Sequence, residues 1–236
     1  MPLSNELLFL AVTIIELIFV LLAWRMGKEW VFVVIAVNIV LVSTFAGKLI
    51  PIFGFVTNVS NPFYAGIFIA TDILAEHHGK RTAYKSIWLG FIGLLLFIVM
   101  GQLVLQFSTV TDSQVVSDAM TTLFSAVPRI AAASFIAYLI AQMLDVWIFH
   151  KIRERTNGKN LWLRNNISTA VSQFIDSVVF FGLAFGGVVP FPVLINIILT
   201  GYAVKLLVAV LDTPVIYLSY LVAGKSLEAG RQLTEA

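Results

Sequence analysis

The sequence predicts an all-α polytopic membrane protein with about seven transmembrane helices, a first helix plus a six-helix core. Three observations carry this. Of 236 residues, 59% are hydrophobic and 12% charged, whereas a soluble domain carries about twice that charged share. The mean hydropathy is +0.95. Several apolar runs reach or approach the roughly 20 residues that cross a hydrocarbon core. Residues 1–236 read as one integral membrane domain, multi-pass in the cell (inner) membrane, with no room for a second, soluble one.

The expected spans are about 5–24, 30–49, 62–78, 85–107, 125–150, 166–187 and 192–222. The first lacks the basic leader and small-residue cleavage site of a signal peptide and reads as a retained helix. Span three is short and follows "IPIFGFVTNVSNP", where Pro51, Gly54, Asn58, Asn61 and Pro62 mark turns. It is expected to begin with a bent or re-entrant segment. Pro214 is expected to kink the long last span by removing a backbone donor.

Basic residues set the orientation. Arg25 and Lys28 follow span one, Lys80, Arg81 and Lys85 follow span three, and Lys151, Arg153, Arg155, Lys159 and Arg164 follow span five. Lys225 and Arg231 lie in the tail. Two spans separate successive groups, so all can face one side, while the loop around 108–124 carries Asp112 and Asp118 and no Lys or Arg. The positive-inside rule then gives an outside N-terminus and a cytoplasmic C-terminus. Trp24, Trp30, Trp88, Trp147 and Trp162 fall near span ends and read as lipid anchors.

Much chemistry is excluded. Without cysteine there are no disulfides or thiolate metal sites. Walker, nucleophile-elbow and dinucleotide motifs are absent, so neither ATP hydrolysis nor a soluble-type active site is supported. Asp72, Glu76, His77 and His78 are poorly spaced for a metal, since adjacent helical residues face different ways. No cofactor, metal or nucleic acid is expected, and His77 and His78 read as lying at the membrane surface.

The informative residues are the polar ones at bilayer depth, where a charge costs about 2.5–3.5 kcal/mol on insertion scales. They are Glu16, Asp72, Glu76, Asp145, Asp176, Lys205 and Asp212, with Asn38, Gln102, Gln142, Gln173 and Asn196. Gln142 and Asp145 share a helix face with Tyr138. In span six, Asn166, Thr169, Gln173 and Asp176 form a stripe about three turns long. The pattern Q-x-x-D-x-x-x-F occurs at 142–149 and again at 173–180, suggesting two facing helices. Amides also serve as interhelical hydrogen-bond glue, but a lone carboxylate is a costly glue, which favours function for Asp145 and Asp176. Lys205 is expected to project toward Asp145 or Asp176, hold the acids ionised, and share a helix face with Asp212.

Four blocks resemble the queuosine precursor transporters, also described as vitamin-uptake transporters. They are "FIATDILAEHHGKRTAYKSIWLGF" (68–91), "SFIAYLIAQMLDVWIFHKI" (134–152), "GKNLWLRNNISTAVSQFIDSVVF" (158–180) and "YAVKLLVAVLDTPVIYL" (202–218). The resemblance implies import of 7-deazaguanine precursors of a modified tRNA nucleoside. It also implies family-like positions at Asp72, Glu76, Gln142, Asp145, Arg164, Asn165, Asn166, Gln173, Asp176, Lys205 and Asp212. The chain departs at His77–His78, where an aromatic residue often precedes Gly–Lys. A guanine-like edge suits carboxylate acceptors with amide donors, and Phe174, Phe180, Tyr138 and Trp147 are candidates to sandwich the ring.

The expected substrate-binding set is therefore Gln142, Asp145, Asn166, Gln173, Asp176, Asp72, Glu76, Lys205, Tyr138 and Phe174. The partners are a deazapurine base and the lipid bilayer, and a homo-oligomer is compatible. Two other classes compete. One is a substrate-capture subunit served by a separate ATPase, with "AVPRIAAAS" (126–134) as a contact surface. The other is an intramembrane enzyme, which lacks a nucleophile–base set.

Overall fold

The computed structural model describes residues 4–45, 48–52, 55–124 and 128–222. Helix α1 (Asn5–Met26) is capped by the Ser4 side chain and ends at Gly27, and α2 (Lys28–Phe45) follows at once. A short antiparallel hairpin comes next, β1 (Leu49–Ile52) with β2 (Phe55–Asn58), pairing Leu49 with Asn58 and Ile52 with Phe55. Helix α3 (Asn61–Val104) starts with Pro62 in its first turn, where a missing N–H costs nothing. A 3-10 turn (Thr111–Ser113), α4 (Gln114–Phe124), α5 (Pro128–Arg155), α6 (Leu161–Phe185) and α7 (Phe191–Val222) complete the chain. Among the described residues, five helices, α1, α2, α3, α5 and α6, are long and apolar enough to cross a membrane, while α7 contributes the apolar stretches Phe191–Ala203 and Thr213–Val222.

Helix α3 merges two expected spans. Its 44 residues would make a straight rod of about 66 Å, twice a hydrocarbon core. Gly79 breaks it, at φ 79° and ψ 172°, a conformation essentially confined to glycine. Contacts with α2 give the direction of each limb. Phe63 meets Phe45, and a side chain at Gly66 would come 2.9 Å from Asn38 Nδ2, so the first limb runs antiparallel to α2. Lys85 lies over Phe32, and Gly90 abuts Ile35 and Ile39, so the second limb runs parallel to it. The limbs therefore double back on each other at Gly79. The loop expected at 79–84 is helix on either side of that one residue.

Other expectations are also corrected. The bent start of span three is the hairpin, built from Leu, Ile, Phe and Val that suit a pleated strand. The loop expected at 108–124 contains α4, an amphipathic helix with Val116, Met120 and Leu123 on one face and no buried residue. Helix α6 starts five residues before the expected span, so Arg164 and Asn165 lie inside it and are buried. Trp24 is fully buried, its indole N–H donating to the Ser219 carbonyl at 2.8 Å. By contrast, Trp30, Trp88, Trp147 and Trp162 are about half exposed.

The molecule is inverted relative to a soluble fold. Leu7, Ile14 and Phe19 of α1 and Ile92, Leu96 and Leu103 of α3 are exposed, whereas Asp72, Glu76, Gln142, Asp145, Arg164 and Ser172 are buried. Lipid can solvate the first set and the bundle interior the second. One end gathers Trp24, His77, Arg153, Arg164 and Ser219. The opposite end brings Asn5 to Pro51 and Gln102 to Phe124.

Candidate functional site

Three elements build a buried polar column. The first limb of α3 is small and apolar on most sides (Ala65, Gly66, Ile69, Ala70), which lets α1, α2, α5 and α7 approach it. Gly66 admits Glu16 and Asn38, which hydrogen-bond to each other there. On α6, the buried positions Arg164, Asn165, Ser168, Thr169, Ser172, Gln173, Asp176 and Ser177 recur every three or four residues, one face of a helix. Helix α5 presents Gln142 and Asp145, both fully buried.

The column has three tiers, met in order along α3 at Tyr64, Asp72 and Glu76, which span about 18 Å of helix. In the first, the Tyr64 hydroxyl donates to Asp176 Oδ1 at 2.6 Å. Lys205 of α7 pairs with the same carboxylate through Oδ2, and its ammonium lies 5.2 Å from the Tyr64 ring centre. In the second, Asp72 of α3 and Asp145 of α5 are both buried. Ser172 Oγ donates to Asp145 Oδ1 at 2.9 Å. In the third, Glu76 is paired with Arg164, and Arg153 stands 3.8 Å away. Tyr220 donates to Glu76, and Arg164 packs 5.3 Å from the Phe149 ring centre.

Beside the third tier lies a recess of about 570 Å³ lined by Gly158, Asn160, Leu161, Arg164, Tyr217, Tyr220 and Leu221. Nearby, His77 is half-buried, hydrogen-bonded with Ser219 Oγ at 2.8 Å and stacked on Trp24 at 4.6 Å.

Between the first and second tiers, polar atoms lack partners. Both amide atoms of Gln142, Gln173 Oε1 and Ser177 Oγ have no hydrogen bond in spite of burial. The contacts of Asp145 with Ser172 and of Phe149 with Arg164 set α5 antiparallel to α6. Gln142, one turn beyond Asp145, is thus level with Gln173 and Asp176. Leaving such groups unpaired costs about 1–3 kcal/mol each, and native proteins rarely tolerate it without a ligand, water or function.

The expected residues divide accordingly. Gln142, Asp145, Gln173, Asp176, Asp72, Glu76 and Lys205 all lie in the column, and Lys205 does project to Asp176. Three do not. Phe174 is 41% exposed and packs on Tyr202 of α7, because it sits on the opposite face of α6 from Asp176. Asn166 is turned toward α7, where it donates to Thr213 Oγ1 at 2.7 Å. Tyr138 belongs to the apolar core against the second limb of α3, its hydroxyl donating to the Ile87 carbonyl at 3.4 Å. Trp147, half exposed, also faces outward. The Asp212 side chain, Lys225 and Arg231 lie outside the described residues.

Sequence reasoning missed Tyr64, Ser168, Ser172 and Tyr220, and it placed Arg164 in a loop. The signal was available in α6, where Arg164, Ser168, Ser172 and Asp176 recur every four residues. Among the described residues, no group of three or more His, Asp or Glu side chains could hold a metal ion.

Comparison with known proteins agrees with this architecture. A family model described as "Putative vitamin uptake transporter" matches residues 58–219. A Bacillus subtilis protein named "Probable queuosine precursor transporter" is 36% identical over 215 residues, covering 90% of this chain and 93% of the relative. An Escherichia coli "Queuosine precursor transporter" is 33% identical over 137 residues, 58% of each chain. No solved structure matches. The chain is a multi-pass membrane protein and belongs to the vitamin uptake transporter family.

Proposed function

We propose that this chain imports queuosine precursors, 7-deazaguanine bases, across the cell membrane through the polar column. One observation carries the site. The amides of Gln142 and Gln173 are buried between Asp145 and Asp176 with atoms left unpaired. A planar base edge offers both donors and acceptors, the complement of amides and carboxylates on facing helices. The names of the relatives support the cargo. The pairs Lys205–Asp176 and Arg164–Glu76 close the column at its two ends, and alternate opening would expose the middle to each side in turn.

In this reading the chain crosses seven times, with α1, α2, the two limbs of α3, α5, α6 and α7. The N-terminus is outside and the third tier cytoplasmic. In support, Arg25, Lys28, Lys80, Arg81, Lys151, Arg153, Arg155 and Lys159 fall at the Gly79 end, whereas Lys48 and Arg129 lie at the other. Purified protein reconstituted alone into liposomes is expected to show saturable deazaguanine uptake, blocked by other deazaguanines and not by adenine. Failure to bind any deazapurine overturns the reading. Uptake restored only by added ATPase would make the chain a capture subunit. For topology, single cysteines at positions 114 and 158 are treated with an impermeant reagent on intact cells. Position 114 should label and 158 should not.

A further inference from the structure

We propose that α4 is an interfacial helix, its apolar face seated in the lipid bilayer beside the end of α3 without spanning it. The inference uses the second limb of α3 as a membrane span and does not depend on the cargo. Helical periodicity divides the sequence of α4 cleanly. Val115, Val116, Ala119, Met120 and Leu123 fall on one side, and Gln114, Asp118, Thr121 and Thr122 on the other. The polar side is served within the helix. Gln114 donates to Asp118 Oδ1 at 3.0 Å, and the Thr121 and Thr122 hydroxyls donate to the carbonyls of Ser117 and Asp118. The apolar side is open, with Val115 82% exposed, Val116 57%, Met120 40% and Leu123 55%.

What covers that face follows from where α4 is fixed. Its last residue, Phe124, packs on Phe97 with ring centres 5.3 Å apart and lies against Gly101, and the Phe124 carbonyl accepts from Gln102 Nε2 at 2.5 Å. These α3 positions lie within about two turns of the end of the second limb at Val104. There the limb turns Val99, Met100, Leu103 and Val104 outward, and lipid is what covers an apolar surface on a spanning helix. The connection to α4 keeps the same character, with Phe107 and Val110 exposed. Apolar exposure thus continues from a spanning helix to α4, which is tied by one end at the level where the limb leaves the hydrocarbon. Its 11 residues reach about 16 Å, half the thickness of that layer, so it lies at the boundary and does not cross. A second copy would find Val115, Val116, Met120 and Leu123, where a standard interface takes about 20–30 residues a side. Anionic headgroups do not hold it either. Between Lys85 and Arg129 the chain has no Lys or Arg, and its charges are Asp112 and Asp118. The seat is therefore apolar insertion, indifferent to lipid charge.

The absence of cysteine lets single positions of the full chain be spin-labelled. Val116→Cys, Met120→Cys and Leu123→Cys probe the open side, and Gln114→Cys and Thr121→Cys the polar one. All five positions are exposed, so the exchanges leave the packing intact. Leu96→Cys, on the lipid-facing side of the second limb, is the immersed reference. The labelled proteins are placed one copy per nanodisc in phosphatidylcholine, and collisions with oxygen and with a water-soluble nickel complex are compared. Labels at 116, 120 and 123 are expected to favour oxygen, at a depth of about 5–10 Å in the headgroup and acyl boundary. Those at 114 and 121 are expected to favour nickel, and added phosphatidylglycerol should change neither group. Nickel access at all five positions overturns the proposal, because α4 then stands in water. Labels at 116, 120 and 123 closed to both reagents overturn it as well, since protein then covers the face; spin–spin broadening in liposomes holding many copies would identify that protein as a second copy. Immersion that appears only with phosphatidylglycerol overturns the apolar seat. A reference label at 96 that lies in water overturns the spanning limb and this proposal together, whereas immersion at 96 without immersion of α4 overturns this proposal alone.

Discussion

The motif Q-x-x-D-x-x-x-F lies once on α5, at Gln142, Asp145 and Phe149, and once on α6, at Gln173, Asp176 and Phe180, yet the two carboxylates live under opposite rules. Asp176 has a cation and a phenol, Lys205 and Tyr64. Asp145 has the Ser172 hydroxyl, with no described cation in contact. The phenylalanines diverge as well, Phe149 buried beneath Arg164 and Phe180 against Phe181. What decides the chemistry of a motif residue here is the helix across from it. Helix α7 brings Lys205 to Asp176, whereas α6 brings Ser172 to Asp145.

The same substitution therefore separates the two. On uptake, Asp145→Asn and Asp176→Asn should look alike, each lowering precursor transport by about tenfold or more, equivalent to about 1.4 kcal/mol of lost interaction. Normal uptake by both, in protein that still inserts, removes these acids from the mechanism. Thermal unfolding in detergent should split them. Asp176→Asn strands Lys205, and breaking a buried pair costs about 3–5 kcal/mol; the 14% exposure of Lys205 places the expectation at the lower end. Asp145→Asn strands no cation and keeps an acceptor for Ser172, so its stability should stay within about 1 kcal/mol of wild type. Equal melting losses would erase the distinction.

A smaller effect sharpens it further. Lys205→Met should rescue part of the stability lost in Asp176→Asn, with a coupling of about 0.5–3 kcal/mol in the double-mutant cycle. Strict additivity would mean that the pair contributes nothing. Smallest of all, Phe174→Ala should leave precursor uptake within about twofold of wild type, since its ring packs on Tyr202 away from the column. A large loss there would return it to the binding set.

The sequence conveyed the helical membrane class, the placement of most helices and the candidacy of Gln142, Asp145, Gln173, Asp176 and Lys205. Intramembrane polar groups are few and costly, and so stand out. It did not convey which of them meet. Offsets along one helix give a face but not the neighbour opposite, so the meetings of Tyr64 with Asp176 and of Ser172 with Asp145 were invisible. Tyr138 and Phe174 fall outside the column for a related reason: an aromatic ring suits a core, a lipid surface and a ligand equally. The hairpin at 49–58 and the amphipathic α4 hid inside segments read only as connections.

Gly79 has a consequence for how the chain gets into the bilayer. The first limb of α3 carries Asp72 and Glu76, and carboxylates are the residues a translocon admits least willingly, at about 2.5–3.5 kcal/mol each near a helix centre. The second limb, from Ile87 to Val104, has no charged residue and is rich in Leu, Ile, Phe and Val, each of which favours insertion by about 0.3–0.6 kcal/mol. With a single residue as the turn, the limbs have no slack to partition separately. In the seven-span reading, the greasy limb is therefore the ballast that carries the acidic one into the membrane, delivering Asp72 to bilayer depth before α5, α6 and α7 have been synthesised to receive it.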